Sequence, residues 1–85
     1  MRKDDQYWIV KKVTPEENYF IVLDFADGSR KRYDVKPIMS RFQAFERLKD
    51  PDYFKRVHTD GITAVWDDVL DIAPEELYEK GVLVA

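Results

Sequence analysis

The stretch that most restricts what this chain can fold into lies at residues 66–78, Trp66-Asp67-Asp68-Val69-Leu70-Asp71-Ile72-Ala73-Pro74-Glu75-Glu76-Leu77-Tyr78. It reads as a strand, a tight acidic turn, a second short strand and then a helix opened by proline. Pro74 suits the first helical position, where its missing N–H would have no partner anyway. Glu75 and Glu76 follow in the first turn, where negative charge meets the positive end of the helix dipole. The helix is expected over residues 74–80, with Gly81 as its C-terminal cap. These signals all concern folding, and none of them concerns chemistry.

The preceding residues set the rest of the architecture. Residues 7–13 are rich in aromatic and β-branched types and read as a strand. Residues 14–18 read as a turn, with Pro15 presetting its φ angle. Residues 19–25 give the strongest strand pattern, with Tyr19, Ile21, Leu23 and Phe25 on one face and Phe20, Val22 and Asp24 on the other. Asp27-Gly28 marks a hairpin, because such turns demand positive φ. Residues 30–35 alternate as a half-exposed strand returning on the previous one. A three-stranded antiparallel meander is therefore expected. Pro37 ends it and opens a helical region in which Phe42, Phe45 and Leu48 recur as an apolar stripe. Asp50-Pro51 breaks that helix, and Tyr53 and Phe54 close over the core from a further turn. Residues 56–59 and 62–66 read as short strands around a turn at Asp60-Gly61. Residues 70–72 suit either a strand or an extended loop. Val82-Leu83-Val84 either packs back on the sheet or forms part of an interface. The fold class is α+β: an antiparallel three-stranded meander, short helices, then short strands and a C-terminal helix. One domain is expected over residues 1–85, with 1–6 flexible.

Composition narrows the functional classes. The chain has 85 residues, enough for one modest core, and its 14% aromatic content supplies large buried area per residue. It has no cysteine, which excludes disulfides, thiolate nucleophiles and cysteine-held zinc. A charged N-terminus and the lack of a long apolar run point to a cytoplasmic protein with no membrane segment. The formal net charge of −3 is uneven. Residues 1–58 carry 13 basic and 10 acidic side chains, whereas residues 59–85 carry one basic and seven acidic. Such bipolarity either solvates separate surfaces or steers a charged partner.

Catalytic and ligand-binding patterns are weak. Ser29 and Ser40 are the only serines and His58 the only histidine, and no nucleophile motif surrounds them. Asp67, Asp68 and Asp71, with His58, form the one grouping that suggests a cation or a small catalytic centre. The calcium-loop pattern is absent, and the aspartates suit turn-shaping hydrogen bonds better. Gly28, Gly61 and Gly81 lie too far apart for a phosphate loop. Arg30-Lys31-Arg32 is the candidate for nucleic-acid contact, a basic ribbon against a phosphate backbone. An acidic isoelectric point near 5.1 opposes it. Trp8 and Trp66 could stack on bases, but strand positions favour packing. No cofactor is expected.

Several pieces together carry a family resemblance: Phe25-Ala26-Asp27-Gly28-Ser29, Tyr33-Asp34-Val35, Leu48-Lys49-Asp50-Pro51-Asp52-Tyr53-Phe54, Val65-Trp66, Asp71-Ile72-Ala73-Pro74-Glu75 and Leu77-Tyr78. With these the chain resembles the small bacterial proteins of domain of unknown function 2442. Val69-Leu70 departs from the glycine and small residue common in that turn. The resemblance implies a compact α+β domain with an antiparallel sheet, similar to the N-terminal domain of some helix-turn-helix regulators. It implies structural roles for Gly28, Trp66, Asp71, Pro74 and Tyr78, and no catalytic residue. It also implies frequent encoding beside another small protein, as in toxin–antitoxin pairs. The expectation is a non-enzymatic interaction or regulatory module, antitoxin-like, that binds a small protein partner or itself. Its contact surfaces would be the Arg30/Arg32 strand face and the tail Val82, Leu83, Val84. The alternative is a nucleic-acid-binding accessory domain using Arg30, Lys31 and Arg32.

Overall fold

The computed structural model describes residues 7–67 and 70–84. The expected flexibility of residues 1–6 lies outside them. Among the described residues seven strands and three α-helices follow in order: β1 (Val10–Glu16), β2 (Phe20–Phe25), β3 (Arg30–Asp34), α1 (Lys36–Arg41), α2 (Pro51–Phe54), β4 (His58–Thr59), β5 (Ala64–Val65), β6 (Asp71–Ile72), α3 (Pro74–Lys80) and β7 (Val82–Leu83). They build two antiparallel sheets, a larger one ordered β1-β2-β3-β7 and a smaller one ordered β4-β5-β6. The fold is α+β, as expected.

The alternation in β2 sorts its side chains between two environments. Ile21, Leu23 and Phe25 are buried, while Phe20, Val22 and Asp24 are only half-buried. In β3, Tyr33 is buried between the flanking Arg32 and Asp34. These inner residues join Val10, Val35, Met39, Leu48, Phe54, Trp66, Leu70, Ile72 and Leu77 in one apolar cluster. Burying a side chain of that size contributes about 1.5–3 kcal/mol, so a chain this short depends on the cluster. The indole of Trp66 is buried and donates to the Phe54 carbonyl at 3.0 Å, so it packs inside and is not presented for stacking.

Several elements differ from the sequence reading. β1 starts later and runs through Pro15, which pairs with Ile21. The bonds Phe25 N–H to Ser29 O and Val35 N–H to Tyr19 O fix which β2 residues face β3. By alternation, Phe20, Val22 and Asp24 bond to β1 and Ile21 does not. Pro15 thus directs its missing N–H away from β2, the arrangement that admits proline to an edge strand. The actual turn is Glu17–Tyr19, with Asn18 and Tyr19 both at φ 63°. Asparagine tolerates this left-handed geometry. In tyrosine it stores strain of about 1–3 kcal/mol. Tyr19 is held there by its hydroxyl, which donates to the Lys49 carbonyl at 2.5 Å, and by edge-on packing against Phe54.

The helical region is also more broken than expected. α1 ends at Arg41, Phe42 is extended, and a 3-10 helix spans Gln43–Lys49. Spacing by three is the 3-10 period, so Phe45 and Leu48 align inward while Phe42 stays 51% exposed. Asp50 does more than interrupt: its carboxylate accepts from the Asp52 N–H at 3.0 Å and caps α2, with Pro51 in the first turn. β4, β5 and β6 are each two residues long, shorter than the runs that suggested the first two. Asp60 closes the intervening loop by accepting from the N–H groups of Ile62 and Thr63, both at 2.9 Å. Those bonds, from Thr63 first, hold its carboxyl below the usual aspartate range.

α3 begins at Pro74 as expected and ends at Gly81. Gly81 is not a left-handed cap, since its φ is −67°. Glycine is needed there for space. A Cβ would stand 2.6 Å from the Leu77 carbonyl oxygen and 3.0 Å from Lys31 Cβ. This close approach lets the chain leave α3 and pair Val82 with Arg32 and Leu83 with Lys31, adding β7 to the meander as a fourth strand. The two sheets meet at β1, where Val10 N–H donates to the Ile62 carbonyl and Thr59 Oγ1 donates to the Val10 carbonyl, each at 2.9 Å.

Candidate functional site

The outer face of the larger sheet combines charge with apolar surface. Registered antiparallel residues project to the same side, so Lys12, Thr14 and Glu16 of β1 share this face with Phe20, Val22 and Asp24 of β2. Arg30, Arg32 and Asp34 of β3 and Val82 of β7 complete it. Val84 continues the row, because its N–H donates to the Arg30 carbonyl at 2.9 Å. At one end the face opens into a shallow groove of about 800 Å³, lined by Phe20, Arg32, Lys80, Val82, Leu83 and Val84 with the Glu17-Asn18 turn.

Its charges are matched within the sheet. Arg30 Nε meets Asp24 Oδ1 at 2.7 Å, Arg32 Nε meets Glu16 Oε1 at 3.1 Å, and Lys36 Nζ meets Asp34 Oδ1 at 3.0 Å. The hydrogen bond from Arg30 to Asp24 raises the guanidinium's affinity for its proton. Lys36 also lies over the Phe20 ring at 4.3 Å. These are exposed pairs of small energetic weight. Their consequence is that the basic strand carries acidic partners along its length.

The structure does not keep Arg30, Lys31 and Arg32 together. Lys31 points to the opposite face, where Nζ donates to the Tyr78 carbonyl at 2.5 Å and sits 3.6 Å from the Tyr78 ring centroid. It fastens α3 to β3. Arg30 and Arg32 remain on the outer face beside Val82 and Val84. Val82 and Leu83 are each 69% exposed, the highest among the large apolar residues described.

Gly28, Pro74, Asp71 and Tyr78, expected to have structural roles, lie as follows. Gly28 sits at φ 90° in the hairpin turn, and its N–H donates to the Phe25 carbonyl at 2.9 Å. Pro74 opens α3, and Asp71 pairs with Val65 across the smaller sheet. The hydroxyl of Tyr78 donates to Asp27 Oδ2 at 2.6 Å, and its ring packs against Phe25 and Tyr7. Asp27 also accepts from the hydroxyl and N–H of Ser29. Those bonds, from Ser29 first and then Tyr78, hold its carboxyl below the ordinary value, and the Asp27 bond in turn raises Tyr78.

The grouping of Asp67, Asp68, Asp71 and His58 is dispersed where it is described. His58 and Asp71 stand on β4 and β6 in register with Val65 between them, two strand spacings or roughly 10 Å apart. Asp67 accepts from the Tyr53 hydroxyl and from Leu70 N–H, shaping the turn, and lies 3.6 Å from Arg47. Asp68 and Val69 fall outside the described residues. Leu70 is buried, which gives the departure from glycine in this turn a packing role. Among the described residues no group of three histidines or carboxylates could hold a metal ion, and no described helix is long and apolar enough to cross a membrane.

The sequence reading put Phe20, Val22 and Asp24 on one face of β2 without joining them to Arg30 and Arg32, and it missed Glu16 and Lys36 as members of the outer face. Counting outward from Asp27-Gly28 would have found part of it, because that hairpin forces Asp24 opposite Arg30 and Val22 opposite Arg32.

A small α+β domain with a four-stranded sheet, one covered face and one open face is the class that these observations define. The chain belongs to the family described as "Protein of unknown function (DUF2442)", which matches it over residues 10–82. No curated protein and no solved structure matches it.

Proposed function

We propose that this chain is a non-enzymatic protein-interaction module, with a regulatory or antitoxin-like pairing as the form that role takes. The observation that carries the reading is the apolar strip Val82-Leu83-Val84, held on the sheet by β3, with Val82 and Leu83 exposed and Val84 half-buried beside an open face. Exposed apolar residues gathered on one edge mark an interaction surface more often than singly scattered ones do. The matched charges around the strip favour a protein surface over a polyanion, since Arg30 and Arg32 already face Asp24 and Glu16.

Co-expression with the neighbouring open reading frame, followed by light scattering on the purified material, tests this. A complex of defined mass that is lost in the double variant Val82→Asp/Val84→Asp supports the reading. Recovery of this protein alone, with no self-association, contradicts it. The nucleic-acid alternative rests on Arg30 and Arg32 sharing an exposed face. It predicts binding that weakens steeply with salt and on Arg30→Ala/Arg32→Ala. The absence of any shift at low salt removes it.

A further inference from the structure

We infer that the β7 edge pairs with the β7 edge of a second copy, forming a two-fold dimer with one continuous sheet. This rests on the interaction-module reading and names the occupant of its surface.

The backbone geometry specifies a strand as the occupant. Val84 N–H bonds to the Arg30 carbonyl. In the alternating ladder, Arg32 and Val82 then form the next hydrogen-bonded pair, and Lys31 and Leu83 do not bond to each other. The N–H and C=O of Leu83 therefore point out from the sheet, at its outermost strand. A row of outward backbone groups is a template for another strand.

Charge selects a second copy among strands. The strip itself carries no charge, and Arg30 and Arg32 beside it are matched by Asp24 and Glu16. It asks for a neutral, apolar strand, and its own sequence is one. Antiparallel pairing about Leu83 sets Leu83 against Leu83 of the copy, exchanging both N–H···O bonds, and Val82 against Val84. No like charges are placed opposite one another. Such a contact is isologous and closes at two copies. It does not propagate, because the sheet's other edge is β1, where Pro15 withholds a donor and Val10 is bonded to Ile62. The paired strip is short, so the contact buries less than the roughly 1,200 Å² of stable complexes. The dimer is accordingly weak and reversible.

Sedimentation of the full chain across a concentration series, alone, is the test. The expected result is a monomer–dimer equilibrium with a midpoint between about 10 µM and about 1 mM. Leu83→Pro removes the outward N–H without removing a bond to β3, and Leu83→Lys charges the strip. Each is expected to weaken association at least about tenfold, that is about 1.4 kcal/mol, with an unchanged circular dichroism spectrum. A chain that stays monomeric to about 1 mM, or a dimer that persists in both variants, overturns the inference. A monomeric chain that still co-purifies with a different protein overturns it while leaving the interaction-module reading in place.

Discussion

The two edges of the larger sheet are built differently. β1 is guarded at both ends: Val10 is bonded to Ile62 and Thr59, a register irregularity follows at Lys11, and Pro15 turns a missing donor outward. Lysines 11 and 12 add charge in between. Bulges, lysines and proline are the usual means of stopping a strand from recruiting another. β7 carries none of these. It is apolar, short and attached through a glycine that tolerates a close approach to α3. The contrast teaches that exposure alone does not identify a contact surface. Phe42 is also exposed, but it sits between α1 and the 3-10 segment without an outward-facing ladder.

The largest expected effect comes from breaking the junction that creates the β7 edge. Gly81→Ala forces a methyl against the Leu77 carbonyl and Lys31, which is expected to cost about 1–3 kcal/mol and to detach β7. Denaturant titration measures the first and loss of Val84 amide protection the second. Wild-type stability in this variant would mean that the close approach does not hold the strand.

Proline scanning along β7 sharpens the comparison. Val82→Pro removes a donor that faces β3 and is expected to cost about 0.5–1.5 kcal/mol. Leu83→Pro removes one that faces outward and is expected to stay within about 0.5 kcal/mol of wild type in dilute solution. Equal costs would contradict the assigned ladder. On the opposite edge, Pro15→Thr restores a donor. Little change in folding stability is expected, but light scattering should show larger assemblies, since both edges are then able to pair.

The smallest effect lies beneath both edges and appears at high pH. Burial first, and then the bond to Glu76, raises the ionisation of Tyr33 well above the ordinary tyrosine value. The unfolded chain therefore releases this proton near pH 10 while the folded chain keeps it, so stability declines as pH rises beyond about 10. Tyr33→Phe should flatten that decline between about pH 9.5 and about pH 11.5, measured as melting temperature against pH. An unchanged slope would place the titration elsewhere.

Much of this architecture was legible in the chain. The alternation of β2, the Asp27-Gly28 turn and the proline start of α3 are local signals that agree with the packed structure. Other features depend on position in the finished sheet. Pro15 argues against a strand unless the strand is known to be an edge. Val82-Leu83 is too short to show a period. The Phe42, Phe45, Leu48 spacing fits either helix type until the chain extends at Phe42. Of the candidate surface, Arg30, Arg32 and the tail residues were readable from exposure and pattern. Asp24 follows from counting outward along the Asp27-Gly28 hairpin, whereas Glu16 does not, because its pairing with Arg32 spans two strands and 16 residues. Lys31 was read with its neighbours, although strand alternation turns it to the other face.

β7 is a bound strand with an open outer edge. Amide hydrogen exchange followed by NMR tests it most directly. In dilute solution Val84 N–H, bonded to the Arg30 carbonyl, should be protected while Leu83 N–H exchanges quickly, and Leu83 should gain protection as concentration rises. Fast exchange at both positions, or protection of Leu83 without Val84, would contradict it.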